Sequence, residues 1–313
     1  MSIIVSGSLV YDVIMDFKGS FKDHIMPESI HILNLAFAVE TLKKSRGGTA
    51  GNIAYSIKLL GGEPVLVSAV GRDGGEYLEY FKKMGIKTNL ILQEKNKYTA
   101  TAHITTDTDD NQITAFYGGA LAKTPLVLKP TKKARLLIIS PTDKTVMLAR
   151  LADGERLGIE SFFDPGQQIT SFSAAELKSA IAKSDFVIGN DYEIKLLKKK
   201  TGLTESQILA RKTKVLITTL GKEGSRIQTK TGEIIKVGIC KPKSIADPTG
   251  AGDAFRAGFC LGYERNFSLK TCAQLGATAA AYAIEVSGTQ EHVFTLKEFT
   301  ARYQQAFQDS LTL

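Results

Sequence analysis

Residues 246–255 read Ala246-Asp247-Pro248-Thr249-Gly250-Ala251-Gly252-Asp253-Ala254-Phe255. Pro248 can start a turn, and Gly250 and Gly252 permit backbone conformations closed to other residues. Ala254, Ala257, Gly258 and Leu261 then mark one stripe of a helix beginning near Gly252. A glycine-rich turn that feeds a helix N-terminus gathers unpaired N–H groups at the positive end of the macrodipole, roughly half an elementary charge. Such a nest suits an anion, phosphate above all. Asp253, in that first turn, has two readings: a carboxylate that merely starts a helix, or a base poised beside a bound phosphate.

Outward from this stretch, short apolar runs alternate with helix-period segments. The runs 64–71 (PVLVSAVG), 135–140 (RLLIIS), 158–163 (GIESFF), 185–189 (DFVIG) and 214–219 (KVLITT) each suit a strand buried on both faces. Residues 2–7 read as an opening strand rather than a secretory leader, having no basic n-region and no long apolar stretch. Helices are expected over 49–60, where Ile53, Ile57 and Leu60 share a stripe, and over 174–183, 193–200 and 268–284. This rhythm predicts an α/β protein with a mostly parallel central sheet flanked by helices.

Two regions break the rhythm. Residues 12–39 read as irregular and contain Pro27. Over 99–117, Ala100, Ala102 and Ile104 face one way, and Ile113, Ala115 and Tyr117 do so after a polar turn, which predicts a β-hairpin with one buried face. Such strands would form a small β-sheet lid from segments within about 12–40 and 99–117. The turn Asp107-Thr108-Asp109-Asp110-Asn111 resembles the start of a calcium loop, but Gln112 stands where a Gly is needed and Gly118 where a bidentate Glu belongs. It reads as hairpin-turn chemistry.

The 313 residues allow either two domains or one large α/β domain with an accessory piece. Hydrophobic residues at 43% and charged residues at 23% exclude a disordered or collagen-like chain. No stretch approaches the roughly 18 apolar residues of a membrane span. Cys240, Cys260 and Cys272 are far apart, without C-x-x-C, so neither a disulfide framework nor a thiolate metal site is expected, and the compartment reads as a reducing cytoplasm. The net charge of +8 is dispersed over Lys43-Lys44, Lys82-Lys83, Lys132-Lys133 and Lys198-Lys199-Lys200, each on or beside an expected helix. None is a basic run interleaved with aromatics, so nucleic acid is not an expected partner. A P-loop, an early G-x-G-x-x-G, G-x-S-x-G and H-E-x-x-H are all absent. The histidines His24, His31, His103 and His292 are scattered and read as surface or core residues.

Asp247 to Asp253 resembles the D-[TP]-x-G-A-G-D signature of the ribokinase-like (PfkB) carbohydrate and nucleoside kinase family, with Pro248 where many members have Thr. Other marks of that family occur in order. Gly47-Gly48-Thr49-Ala50-Gly51-Asn52 resembles its G-G-x-x-x-N substrate motif, Asn190-Asp191-Tyr192-Glu193 its N-x-x-E motif, and Thr219-Leu220-Gly221-Lys222-Glu223-Gly224 its T-x-G-x-x-G nucleotide loop. Asp12, after Gly7, stands where the family has its early substrate-binding Asp. Glu76 departs from the family's G-x-D-x-x-G, which begins here at Gly71. Within the family the chain looks most similar to the bacterial and archaeal nucleoside (adenosine) kinases, through Gly7-Ser8-Leu9-Val10-Tyr11-Asp12, 104–116 (ITTDTDDNQITAF) and Asp247-Pro248-Thr249.

The resemblance implies a ribokinase-like fold, one large kinase domain over 1–313 with its lid, and transfer of the ATP γ-phosphoryl group to the 5′-hydroxyl of adenosine or a related nucleoside. Asp253 would be the base, and Gly250, Ala251 and Gly252 would supply the anion hole. Ser8, Asp12, Gly47, Gly48 and Asn52 would bind the sugar, while Gln112 and Phe116 on the lid would read and stack a base. Asn190, Thr219, Gly221 and Gly224 would hold ATP, and Glu193 would organise Mg²⁺, through water. Asn190 and Glu193 equally suit an N-cap and its capping-box partner. A monovalent cation near Asp247, and a monomer or a homodimer through the lid, belong to the same set of expectations. A kinase for free sugars such as ribose or fructose shares all ATP-side residues, and a non-catalytic nucleotide-binding protein is a third reading.

Overall fold

In the computed structural model, which describes residues 2–25, 36–109, 111–129 and 134–312, the chain opens with β1 (Ser2–Ser6). β2 (Val10–Asp16), β3 (Thr41–Gly47), α1 (Thr49–Leu59), β4 (Pro64–Gly71), α2 (Gly75–Lys83) and β5 (Ile91–Glu94) follow. After the hairpin of β6 (Ala100–Thr106) and β7 (Gln112–Tyr117) come β8 (Ala134–Ile139), α3 (Lys144–Leu157), β9 (Glu160–Phe163), α4 (Ala174–Lys183) and β10 (Phe186–Asn190). Then follow α5 (Asp191–Thr201), α6 (Glu205–Leu209), β11 (Val215–Thr219), β12 (Ser225–Thr229), β13 (Ile234–Val237), α7 (Ala251–Glu264), α8 (Leu269–Ala283) and α9 (Leu296–Phe307).

The large sheet has nine strands in the order β13-β12-β11-β10-β9-β8-β1-β4-β5. All neighbours from β11 to β5 run parallel, and β12 and β13 add an antiparallel edge. Alternate residues of each central strand feed two separate cores. Ile3, Val5, Leu66, Leu136 and Ile138 pack with α1, α7, α8 and α9 on one face. Ile4, Val65, Val67, Leu137 and Ile139 pack with α3, α4, α5 and α6 on the other. Burial on both faces is why these strands carry continuous apolar runs. The expected α/β architecture, a mostly parallel sheet flanked by helices with a smaller sheet beside it, is therefore observed. No described helix is long and apolar enough to cross a membrane.

The smaller sheet has the order β3-β2-β6-β7. β2 pairs antiparallel with β3 and parallel with β6, and β6 pairs antiparallel with β7. Three readings of this region are corrected. Part of 12–39, read as irregular, is the regular strand β2; residues 26–35 of that range lie outside those described. Lys43 and Lys44 lie on β3, not by a helix. β3 is an exposed edge strand, so Thr, Lys and Ser protect it from further pairing and no apolar alternation marks it. Lys132 and Lys133, like Asp110, fall outside the described residues.

The third correction concerns the hairpin. Thr106 pairs with Gln112, so Ala102 opposes Phe116 and Ile104 opposes Thr114. Paired residues share a face, which puts Ile113, Ala115 and Tyr117 on the side opposite Ala100, Ala102 and Ile104. All of β7 is exposed. The turn sets this register: Asp107 accepts hydrogen bonds from the N–H groups of Asp109 at 2.9 Å and Asn111 at 2.8 Å, and from that of Phe21 at 2.9 Å. Burial works against it, yet these donors hold the Asp107 carboxyl down to about 2.

Candidate active site

In an open parallel sheet, ligands gather beyond the carboxyl ends of the strands, where strand order reverses. Here β1 lies between β4 and β8, and the motif residues follow the ends of β1, β10 and β11. Gly250 is the N-cap of α7 in a left-handed conformation (φ 83°), which a residue with a side chain adopts only under strain. That turn leaves the N–H groups of Gly250 and Gly252 without intramolecular partners among the described residues; the Ala251 N–H makes a long bond of 3.4 Å to the Pro248 carbonyl. Asp247 braces the turn, accepting from the Thr249 N–H at 2.9 Å and the Gly288 N–H at 3.2 Å. Burial would raise Asp247, but these bonds outweigh it and hold the carboxyl below its ordinary range.

Asp253 sits in the first turn of α7, and Asn52 of α1 donates to its Oδ2 through Nδ2 at 2.8 Å. This contact joins residues 201 apart in sequence. Burial pushes the Asp253 carboxyl up to about 6, against the opposing pull of Arg256 and Asn52. Burial outweighs the favourable field of the helix N-terminus here, although with its pKa at about 6 the group is still mostly ionised at neutral pH. Arg256, one turn along α7, forms an ion pair with Asp164 (Nε···Oδ2 2.5 Å, Nη2 donating to Oδ1 at 2.8 Å) and lies 3.9 Å from Glu193. Burial alone would weaken its protonation, but Asp164, Asp253 and Glu193 outweigh it and keep the guanidinium charged.

Among the residues expected to bind the acceptor, Gly48 has φ 88°, and a Cβ there would come within 2.5 Å of the Ser8 carbonyl oxygen. Ser8 turns to the head of α1, where its Oγ accepts from the Thr49 N–H at 3.2 Å. Asp12 projects against Gly47, whose missing Cβ would lie 2.1 Å from Asp12 Oδ2. Burial, with Asp247 nearby, pushes the Asp12 carboxyl up to about 6. The register aligns Ser45, Asp12, Ala102 and Phe116 in one row on one face of the small sheet. Phe116 thus shares Asp12's face and is 58% exposed. Gln112 lies about 13 Å further along β7, donating to Thr106 Oγ1 at 3.4 Å, and is not brought to the Asp12 row.

Among the residues expected to hold the nucleotide, Asn190 and Thr219 are paired neighbours at the ends of β10 and β11. Asn190 and Glu193 form a complete capping box: Asn190 Oδ1 accepts from the Glu193 N–H at 2.7 Å, and Glu193 Oε2 accepts from the Asn190 N–H at 2.8 Å. Burial, with Asp164 close by, raises the Glu193 carboxyl. Gly221 and Gly224 flank a short 3₁₀ turn after β11. No cluster of three or more His, Cys, Asp or Glu able to hold a metal occurs among the described residues. Glu193 keeps Oε1 out of its cap, which suits a hydrated Mg²⁺ touched through water.

Sequence reasoning missed Arg256 and Asp164. Both left a signal: Arg256 lies three residues after Asp253, on the same helix face, and Asp164-Pro165-Gly166 closes an expected strand. Tyr77 and Gln290, which back Asn52, left none, because the contacts that place them span 213 and 238 residues.

Residues 5–295 match the family model described as pfkB family carbohydrate kinase. A nucleoside kinase of Methanothermobacter thermautotrophicus is 34% identical over 281 residues, covering 86% of this chain and 89% of that protein. The structure of Burkholderia thailandensis nucleoside kinase in complex with inosine superposes with a TM-score of 0.88 at 34% identity, covering 99% of each chain. The same enzyme in complex with ADP-inosine gives 0.86 at 35%, covering 100% of this chain and 99% of that one. The chain belongs to the pfkB family of carbohydrate kinases, phosphotransferases that act on an alcohol group.

Proposed function

We propose that this enzyme transfers the γ-phosphoryl group of ATP to the 5′-hydroxyl of a purine nucleoside, adenosine or a close relative. The observation that carries this reading is the Asn52–Asp253 pair at the head of α7, with an exposed aromatic, Phe116, on the same lid face as Asp12. A free sugar has no use for an aromatic platform beyond its ring, whereas a nucleobase stacks on one. Similarity to nucleoside kinases across nearly the whole chain supports the same class.

Phosphoryl transfer asks the protein for alignment and charge stabilisation. Asp12 would accept from ribose hydroxyls, and Asn52, using the second hydrogen of its amide, would donate to one. Asp253 would take the proton of the attacking hydroxyl late, as the O–P bond forms; a carboxyl raised to about 6 is a better base than an ordinary aspartate and is still mostly ionised at neutral pH. The free N–H groups of Gly250 and Gly252 would receive the developing charge, a role that in other enzymes lowers the barrier by about 3 kcal/mol per donor. Thr219, Gly221 and Gly224 would let backbone approach ATP beside Asn190. Mg²⁺, met through water by Glu193, would neutralise phosphate charge. Closure of the small sheet would exclude water from the reacting groups.

The deciding measurement is a Mg-ATP phosphorylation panel of adenosine, inosine, guanosine, cytidine, ribose and fructose. Turnover with purine nucleosides is expected, with kcat/KM for free sugars lower by about tenfold or more, as loss of base stacking implies. Preference for ribose or fructose would overturn the nucleoside assignment and leave the ATP side intact.

A further inference from the structure

Behind Asn52 runs a chain of side chains that the steps above do not use. Tyr77 of α2 is fully buried and donates its hydroxyl proton to the Gly47 carbonyl at 2.7 Å. Burial pushes its pKa far above the ordinary tyrosine range, so that proton stays. With the proton committed, the Tyr77 oxygen can only accept. Gln290 Nε2 supplies the donor at 2.6 Å and gives its second hydrogen to Asn52 Oδ1 at 3.0 Å. Asn52 must then turn its NH₂ group toward Asp253, and Nδ2 stands 2.8 Å from the carboxylate. Space for this is reserved at Gly51, where a Cβ would lie 2.3 Å from the Tyr77 hydroxyl and 2.9 Å from Gln290 Nε2. Gln290 is 2% exposed and its Oε1 has no partner among the described residues. Turning the amide over would aim Oε1 at the Asn52 oxygen and at a tyrosine oxygen whose proton is already given away, leaving two acceptors opposed.

We infer that Gln290 is a positioning residue for phosphoryl transfer: the one-way relay Gly47 carbonyl–Tyr77–Gln290–Asn52 fixes which end of the Asn52 amide meets Asp253. The relay ties the base to the glycine pair on the acceptor side and keeps a donor on the carboxylate through the reaction. The inference rests on Asp253 being the base.

The test measures kcat and KM against pH for Gln290→Leu, Gln290→Glu, Asn52→Ala and the double variant Asn52→Ala/Gln290→Leu, with thermal unfolding of each. Arg256 of α7, Asp164 after β9 and Glu193 at the head of α5 also face Asp253 and stay unchanged throughout. Gln290→Leu releases the Asn52 amide, so kcat at neutral pH should fall about tenfold and its acidic limb should move up by about one unit, as expected for a lost charge-assisted hydrogen bond. KM for ATP should hold within about twofold, since the relay reaches only the acceptor side. Gln290→Glu presents acceptors only, draws the Asn52 NH₂ away and should shift the limb further. In the Asn52→Ala background, Gln290→Leu should move nothing more. An unmoved limb in both Gln290 variants, with lower thermal stability, would show packing alone and overturn the relay. If Gln290→Leu fails to fold, the Gln290→Glu profile decides. Asp253→Asn, run in parallel, separates the two ideas: near-normal turnover there sinks the base, whereas an inactive Asp253→Asn beside an unmoved Gln290 limb sinks only the relay.

Discussion

Asp253 carries two opposed demands, and their balance can be measured. Its carboxyl is raised to about 6 in the folded chain, burial being the largest cause. The native state therefore holds this proton more tightly than the unfolded state, so Asp253 lowers stability as pH rises from about 4 to 6, and its ionised form at neutral pH is a net burden. As the proposed base, Asp253 would have to be ionised for catalysis, so kcat should rise with pH through about 6. Asp253→Asn should cut kcat by about 10²–10⁴-fold and raise Tm by about 1–3 °C, the direction expected when a charge disfavoured by burial is removed. Near-wild-type turnover, or a lower Tm, would contradict this account. The motif around Asp253 was legible because its glycines and first-turn acid are neighbours in sequence. The groups that tune it were less so: Asn52 carries its own motif but nothing local pairs it with Asp253, Arg256 lies unmarked on the same helix, and Gln290 and Tyr77 reach Asn52 through contacts that no local pattern announces.

At the level of elements, α5 poses a question that a single substitution answers. Asn190 and Glu193 form a complete capping box at its head, so the helix-start reading of N-x-x-E is physically real. A capping role and a role toward hydrated Mg²⁺ are compatible, because the cap uses Oε2 and leaves Oε1. Glu193→Gln keeps the cap, since glutamine serves equally well at that position, but removes the charge. Activity should fall about tenfold or more, as for a lost charged contact, with rescue by raised Mg²⁺ and no change in Tm. Glu193→Ala should lower Tm as well, by about 2 °C, for the roughly 1 kcal/mol of a broken cap. Loss of activity only in step with loss of stability would leave Glu193 a helix cap and nothing more. The same contrast explains which elements could be read. β4 is buried over its whole length, and hydrophobicity alone marked it. β3 lies at an edge with its first four residues exposed, and its Lys-rich sequence hid a strand. In the hairpin the polarity pattern was visible, but the five-residue turn, not the pattern, set the register.

On the scale of the molecule, the large sheet supplies rigidity and the small sheet supplies an exposed face. The net charge of +8 is spread over helix ends and edge strands such as β3 rather than concentrated in one basic patch. On the proposed reading, selectivity for the acceptor would belong instead to the apolar residues that β7 leaves in the open. Phe116 and Ile113 are both exposed, at 58% and 41%, yet the register sends them to opposite faces. Phe116 shares its face with Asp12, and Ile113 does not. Because neither is buried, truncating either should leave Tm unchanged. If a nucleobase stacks on the Asp12 face, Phe116→Ala should raise KM for the nucleoside about tenfold, in line with the 1–3 kcal/mol of a base–aromatic stack. KM for ATP should stay put, since its motif residues lie at the ends of β10 and β11, on the other sheet. Ile113→Ala is the control from the opposite face and should alter neither constant. Equal effects of the two substitutions would mean that the hairpin acts through its general apolarity, as a surface for a second copy of the chain would, rather than as a platform for the base. An effect confined to Phe116 and to the nucleoside would tie acceptor choice to the one row of side chains that runs from Asp12 across the lid.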